Sequence, residues 1–199
     1  LGKPISFKGN GLHSGIPVTI TMRPAPAGSG IIFRRIDLTG TPEVPARSEF
    51  VTNTLRATTL ERGDAKVFTV EHILSALFAL RIDNCILEMD APEPPVADGG
   101  ALTFSQMILE AGIVELEKPI DILTLETSVA VYEDNKFITA LPYDGLRITF
   151  TSINPHPLLG TQMKDFTIDK ETYIREIAPS RTIGFTWELV AMRQMGLGN

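Results

Sequence analysis

The chain of 199 residues is poor in cysteine, since Cys85 is its single thiol. One thiol cannot form an internal disulfide, and Cys85 has no second thiolate with which to build a cysteine-based metal site. Because Cys85 lies in the apolar run DNCILEM, we expect it to be a small core residue. The cysteine content therefore excludes disulfide scaffolds and thiolate metal clusters.

Long apolar runs and excess positive charge are also lacking. No run reaches the length of a membrane span, and no basic start with an apolar core marks a signal peptide. The 18 basic residues are outnumbered by 24 acidic ones, which gives a net charge of −6. This balance disfavours a general nucleic-acid or anionic-membrane surface. The sequence thus fits a cytoplasmic protein without nucleic-acid partners.

The first half of the chain contains strand and helix patterns in turn. We predict strands at 18–24, 30–37 and 83–89. A second helix is predicted for 101–111, with Gly112 as its stop. An earlier helix should start at the head of FTVEHILSALFAL, because apolar residues recur there at the spacing of one buried helix face. That face consists of Val70, Ile73, Leu74, Leu77 and Leu80.

The second half repeats this order after a short linker, VELEKPID, at 114–121. Runs of strands followed by helices in each half predict an α+β fold, with a first unit at 1–114 and a second at 122–199. The strands of the second unit are expected near 122–132, 136–141 and 146–152, and its helices near 169–177 and 186–195.

Glu71 and His72 stand side by side where the first long helix begins. A carboxylate in the first turn complements the positive end of the helix dipole, and a half-buried imidazole bonded to the backbone is an ordinary structural role. The functional alternative is a metal-bound imidazole beside a carboxylate that takes a proton from metal-bound water. Neither an H-E-x-x-H zinc helix nor a glycine-rich phosphate loop occurs. Spacing alone leaves both interpretations open.

Four motifs together resemble one enzyme family. GNGLHSG, FTVEHILSALFALRIDN, APEPPVADGGA and PSRTIGF occur in the order and approximate spacing of the UDP-3-O-acyl-N-acetylglucosamine deacetylases, zinc amidases of lipid A biosynthesis in Gram-negative bacteria. The resemblance implies two similar α+β sandwich units that face each other across the active site. It also implies a Zn²⁺ cofactor and a UDP-linked, 3-O-acylated glucosamine substrate, whose 2-acetamido group is hydrolysed to an amine and acetate.

The resemblance assigns roles in the first unit. Glu71 matches the general base, and His72 matches one of three zinc ligands. Asp98, in the DGG of the proline-rich loop, matches an acid that orients His72 or the site water. The alternative for Asp98 is a turn. His13, in GLHSG, falls in a motif near the site, where it contacts substrate or holds a turn.

The segment SRTIGF carries the matching residues of the second unit. Thr182 matches the hydroxyl that binds the substrate carbonyl and its developing oxyanion, and the alternative is a helix cap. Ile183 and Phe185 would line the substrate cleft, although Phe185 could also be plain core. His156, between two prolines, matches a His-Pro pair of the family and is not expected to bind metal.

The remaining zinc ligands of the family do not occur in this sequence. The family carries them in an H-K-x-x-D helix and places a further catalytic histidine in a glycine-rich stretch, and neither motif is present. Catalytic zinc needs three protein ligands and an open position, so the segment alone is expected to be inactive. We therefore expect either the N-terminal two-thirds of such an enzyme or a short paralogue that acts as a binding or scaffold module.

Overall fold

The computed structural model describes residues 1–198, and these form a mixture of strands and helices that confirms the α+β class. The strands, in chain order, are β1 (Ile5–Asn10), β2 (Pro17–Pro24), β3 (Ile31–Arg35), β4 (Glu43–Pro45), β5 (Val51–Asn53), β6 (Thr59–Arg62), β7 (Ala65–Phe68), β8 (Cys85–Met89), β9 (Val129–Glu133), β10 (Lys136–Ala140), β11 (Arg147–Ile153) and β12 (Thr161–Thr167). The α-helices are α1 (Glu71–Ala79), α2 (Leu102–Ala111), α3 (Lys170–Thr172) and α4 (Leu189–Gln194).

The largest sheet has five strands in the order β1-β2-β8-β3-β4. Its neighbours pair antiparallel except β3 and β8, which run parallel. Successive side chains alternate between the faces, as the two-residue period of a strand requires. The inner face is fully buried and consists of Ile20, Met22, Phe33, Cys85, Leu87 and Met89. The sheet therefore supplies one wall of the core, and the prediction for Cys85 is confirmed.

Helices α1 and α2 contribute the apolar residues that meet this wall. The buried side chains of α1 are Ile73, Ala76 and Leu77, and they belong to the same core cluster as the sheet residues. Burying one such Leu or Ile stabilises the fold by about 1.5–3 kcal/mol. Helix α2 ends at Gly112, whose φ of 78° is left-handed, which confirms the predicted stop.

A second, three-stranded antiparallel sheet, β5-β6-β7, leads directly into α1. The sequence patterns did not predict these short strands. Leu60, Ala65 and Val67 are buried in the main core, so the sheet is anchored to it. Strand β7 ends at Phe68 and α1 begins at Glu71, and this two-residue connection sets the position of the helix head.

The second half forms two separate hairpins, β9–β10 and β11–β12, and none of residues 112–172 is buried. The strand expected over 122–132 begins only at Val129, because 122–128 has no pairing strand within 1–198. The helix expected at 169–177 is α3 followed by a π-helical turn, and that at 186–195 is a 3₁₀ turn followed by α4. The division into units at 1–114 and 122–199 stays a prediction.

One stretch of the second half packs on the first. Tyr173 and Ala178 are buried in the main core cluster, and the Tyr173 hydroxyl lies 2.8 Å from Oγ of Ser75 on α1. The chain that follows, residues 179–185, therefore starts next to the core of the first half. Nowhere in 1–198 is there a helix both long and apolar enough to cross a bilayer.

Candidate active site

Glu71 is the first residue of α1, and its side chain is exposed. Its Oε2 atom accepts a hydrogen bond of 3.1 Å from the backbone N–H of Thr58, in the loop between β5 and β6. His72 follows and is half-buried, while Ile73 is fully buried. The buried face therefore fixes the helix, and its first turn presents a carboxylate and an imidazole at the surface of the core.

The chain reaches α1 through a strained residue. Thr69 has a φ of 58°, in the left-handed region that β-branched residues rarely adopt. Two contacts hold it: the N–H of the preceding Phe68 donates to the carbonyl oxygen of Pro92 (3.0 Å), and the Thr69 hydroxyl donates to Oε1 of Glu93 (2.7 Å). The proline-rich loop is thus hydrogen-bonded to the two residues, Phe68 and Thr69, through which the chain enters α1.

Glu93 is a fully buried carboxylate that sequence reasoning missed. Besides Thr69 it binds the GLHSG turn, where the N–H groups of His13 and Ser14 and the hydroxyl of Ser14 donate to it. The signal that could have found it is an acid among prolines and small apolar residues, in APEPPVA. Carboxylates in such a setting are buried only when they are hydrogen-bonded.

His13 belongs to this buried cluster. It exposes 4% of its surface, and its backbone N–H lies 3.0 and 3.1 Å from the two Glu93 oxygens. Gly11 begins the same turn, and a Cβ atom there would lie 2.3 Å from Glu93 Oε2. The turn therefore closes tightly on the carboxylate, which favours the turn-holding interpretation of His13 over direct substrate contact.

Asp98 lies half-buried in the loop before α2. Its Oδ1 accepts a hydrogen bond of 3.1 Å from the Thr103 hydroxyl in the first turn of that helix. This contact links the carboxylate to α2 through Oδ1, and the other oxygen, Oδ2, takes no part in it. Asp98 is therefore positioned by a helix terminus, as the turn interpretation requires, and it also borders the segment that carries Thr182.

The loop around Asp98 is hydrogen-bonded to the segment that contains SRTIGF. The Thr182 N–H donates to the Gly99 carbonyl oxygen (2.9 Å), and the Ala101 N–H donates to that of Ala178 (3.0 Å). A Cβ atom at Gly100 would lie 2.7 Å from the Ser180 carbonyl oxygen, so glycine permits this close approach. Two of the predicted site residues, Asp98 and Thr182, are thereby brought to neighbouring backbone segments.

Phe185 belongs to an aromatic cluster with His156 and Trp187. The rings of Phe185 and Trp187 are nearly parallel with centroids 4.5 Å apart, and His156 lies within 6.1 Å of both. Trp187 is 59% exposed and Ile183 is 65% exposed. The Phe185 ring packs against this exposed indole and is not part of the core cluster, which favours the cleft-lining role over plain core; that role stays a prediction.

The loop of residues 54–58, whose Thr58 N–H donates to Glu71, also contacts this aromatic segment. The Arg56 guanidinium forms an ion pair with the Glu188 carboxylate, and the Phe185 N–H donates to Oε2 of Glu188 (3.3 Å). The hydrogen bond from Arg56 is the main cause that lowers the pKa of Glu188 below its ordinary value. The 54–58 loop thus contacts both Glu71 and the segment after Thr182.

A complete metal site is not found. Within residues 1–198, no three His, Cys, Asp or Glu side chains are close enough to hold an ion together. His72 offers one imidazole, whereas a catalytic zinc site needs three protein ligands. Residues 1–198 therefore do not fit a complete zinc centre by themselves.

Comparison with known proteins decides the family. The family model described as LpxC, UDP-3-O-acyl N-acetylglycosamine deacetylase, matches residues 1–199. The chain belongs to this family. The family match extends over both halves, so it includes the segments that carry Glu71, His72, Asp98 and Thr182.

Curated relatives agree with the family match. The chain is 41% identical over 197 residues to a UDP-3-O-acyl-N-acetylglucosamine deacetylase of Myxococcus xanthus, with 99% of this chain and 63% of that protein covered. It is 40% identical over 195 residues to one of Hahella chejuensis, covering 97% and 65%. A bifunctional enzyme LpxC/FabZ of Chlorobaculum tepidum is 43% identical over 200 residues, covering 99% and 43%. The chain therefore spans less than two thirds of the length of these relatives.

Proposed function

We propose that the complete protein hydrolyses the 2-acetamido group of a UDP-linked, 3-O-acylated N-acetylglucosamine and releases acetate, as a step of lipid A biosynthesis in the cytoplasm. The observation that carries this proposal is the exposed Glu71 carboxylate beside His72 at the head of a buried helix, in a chain of the deacetylase family. The names of the relatives support the same reaction.

In this proposal Glu71 is the general base. A positioned carboxylate accepts the proton of the attacking water, and protonation of the leaving amine is assigned to the further catalytic histidine that the resemblance implies and that this sequence lacks. The Thr58 N–H holds Oε2 at 3.1 Å, and we assign proton transfer to Oε1. The fixed helix behind Glu71 keeps the carboxylate in place without closing it off from a substrate.

Thr182 is proposed to bind the substrate carbonyl. Its backbone N–H is already engaged by Gly99, so the hydroxyl is the group that can donate to the amide oxygen as negative charge develops on it. Asp98 lies on the adjoining loop and is proposed to orient the site water or His72. Ile183 and Phe185 are proposed to line the substrate cleft, with His156 and Trp187 extending the aromatic surface.

Zn²⁺ is proposed as the cofactor of the complete protein, with His72 as one ligand. Residues 1–198 supply no group of three ligands, and the other ligands are proposed to come from other parts of the complete protein. A protein of residues 1–199 is proposed to be inactive for this reason.

A non-catalytic binding or scaffold module is the second candidate, and it would follow if the complete protein, like residues 1–198, had no three-ligand group. The two candidates differ in one assay. The complete protein is incubated with UDP-3-O-acyl-N-acetylglucosamine, and acetate release is followed together with substrate binding. The proposed hydrolase releases acetate, whereas a binding module retains the UDP-sugar without releasing acetate.

A further inference from the structure

Glu93 is a buried charged residue that the proposed mechanism does not use. It is fully buried, and a carboxylate in that position is costly unless its oxygens accept several hydrogen bonds. Both oxygens are satisfied by donors from two distant parts of the chain. Oε1 accepts from the Thr69 hydroxyl at 2.7 Å, and Oε2 accepts from the Ser14 N–H at 2.8 Å and the Ser14 hydroxyl at 2.7 Å.

The bond to Thr69 bears on the head of α1. Thr69 is held at a φ of 58°, and a β-branched residue adopts this conformation only where its surroundings impose it. The Thr69 hydroxyl is the side-chain group that donates to Glu93. Only Val70 separates Thr69 from Glu71, so the dihedral angles of Thr69 set the direction in which the first turn of α1 leaves β7.

The same carboxylate connects every candidate segment of the first half. The turn that contains His13 donates two backbone N–H groups to it, Thr69 leads into Glu71 and His72, and the loop of Glu93 itself continues to Asp98. A purely apolar core residue could pack the same space but could not bond these segments together. The location of Glu93 at their junction is what distinguishes it from an ordinary buried acid.

We propose that Glu93 is a positioning residue, whose carboxylate holds Thr69 in the left-handed conformation and thereby aims Glu71 and His72. This inference rests on the proposed function, since Glu71 matters here as the general base. Because Glu93 is fully buried, this role requires no contact between its carboxylate and the substrate.

The test compares variants in the complete protein. Thr69→Val removes the hydroxyl but keeps the β-branched shape, and Thr69→Ser keeps the hydroxyl. Ser14→Ala removes a bond of the same 2.7 Å length to the same carboxylate, but from the GLHSG turn rather than from the chain that enters α1. Glu93→Ala removes the carboxylate. If Glu93→Ala does not fold, the comparison of Thr69→Val with Thr69→Ser still tests the proposal.

Turnover is the first readout. Thr69→Val should lower kcat by roughly 10- to 100-fold, the cost of a misplaced reacting group, with KM nearly unchanged. Thr69→Ser should restore kcat, and Ser14→Ala should lower the melting temperature without a comparable loss of kcat. Wild-type kcat in Thr69→Val, or an equal loss of kcat in Ser14→Ala, would overturn the positioning role.

Amide hydrogen exchange is the second readout and does not depend on activity. The Leu74 N–H is bonded to the Val70 carbonyl oxygen at 3.1 Å, so its exchange reports the first turn of α1. Thr69→Val should speed exchange of this amide, while Thr69→Ser should not. A wild-type protein that releases no acetate would refute the proposed function, whereas unchanged Leu74 exchange in Thr69→Val would refute the positioning proposal.

Discussion

The Oε2 atom of Glu71 accepts a 3.1 Å hydrogen bond from the backbone N–H of Thr58. The loop that supplies this donor also carries Arg56, which pairs with Glu188 beside the aromatic cluster. One short loop therefore touches the proposed base and the segment proposed to bind substrate. We therefore expect this loop to hold the two parts of the candidate site together.

Breaking the Arg56–Glu188 pair should weaken substrate binding. Both Arg56→Ala and Glu188→Gln remove the charge interaction that holds the 54–58 loop to the Phe185 segment. We expect KM to rise in each single variant and the double variant to be no worse than the singles, because the two residues act as one unit. Steady-state kinetics of all four proteins measures this coupling.

A matched control is the pair between Arg147 and Asp165 on the β11–β12 hairpin. Arg147→Ala removes an exposed ion pair of similar kind that does not contact the aromatic segment. Its KM should equal that of the wild type. Additive effects of Arg56→Ala and Glu188→Gln, or an equal rise in KM for Arg147→Ala, would contradict a specific link.

His72 should contribute to metal binding in the complete protein. If it is one of three ligands, His72→Ala should lower the zinc content below the value of about one per chain expected for a catalytic site. Metal analysis of purified wild-type and variant protein measures this content. His156→Ala is the control, because His156 stacks on Phe185 and Trp187 and is not expected to bind metal. Unchanged zinc in His72→Ala would refute the assignment.

Cys85 should make the protein less stable at alkaline pH. Burial raises the pKa of its thiol to about 11, whereas an unfolded cysteine ionises near 8.5. Above the unfolded pKa the unfolded chain loses this proton while the folded chain keeps it. The free energy of unfolding should therefore fall by roughly 1 kcal/mol per pH unit between these values and should not depend on Cys85 below them.

Urea unfolding at pH 7.5 and pH 9.5 measures this effect. Cys85→Ala is the control: it is less stable overall because a buried group is lost, but it lacks the additional loss at alkaline pH. The thiol of the wild type should also resist labelling at pH 8 until the protein unfolds. If the free energy of unfolding has the same pH dependence in the two proteins, burial does not raise the pKa of the Cys85 thiol and the prediction fails.

Periodicity predicted the parts of the fold that bury a continuous apolar face. Helices α1 and α2, strands β2 and β8, and the stop at Gly112 follow from patterns within single segments. Strands β5 to β7 are three or four residues long, too short to show a period. The expected start of a strand at Ile122 was wrong, although β9 lies at the end of the expected range, because a strand also needs a partner and an apolar alternation does not specify one.

In the candidate site, too, residues within one recognisable segment were predicted and contacts between distant segments were not. Glu71 and His72 could be found because they stand together at the head of a recognisable helix. Glu93 could not, because its importance comes from donors on Ser14 and Thr69, which are 79 and 24 residues away along the chain. Contacts at such separation depend on the folded topology. Family resemblance identified the motifs but not the bond that joins them.

The central claim is that Glu71 is the general base of a deacetylase, and Glu71→Gln tests it most directly. The amide keeps the volume and one acceptor for the Thr58 N–H, but it cannot take a proton. In the complete protein, acetate release should fall by roughly 10²–10⁴-fold, while the melting temperature and substrate binding stay close to those of the wild type. Turnover near the wild-type rate in Glu71→Gln would contradict the account and leave Glu71 as a structural acid at the helix N-terminus.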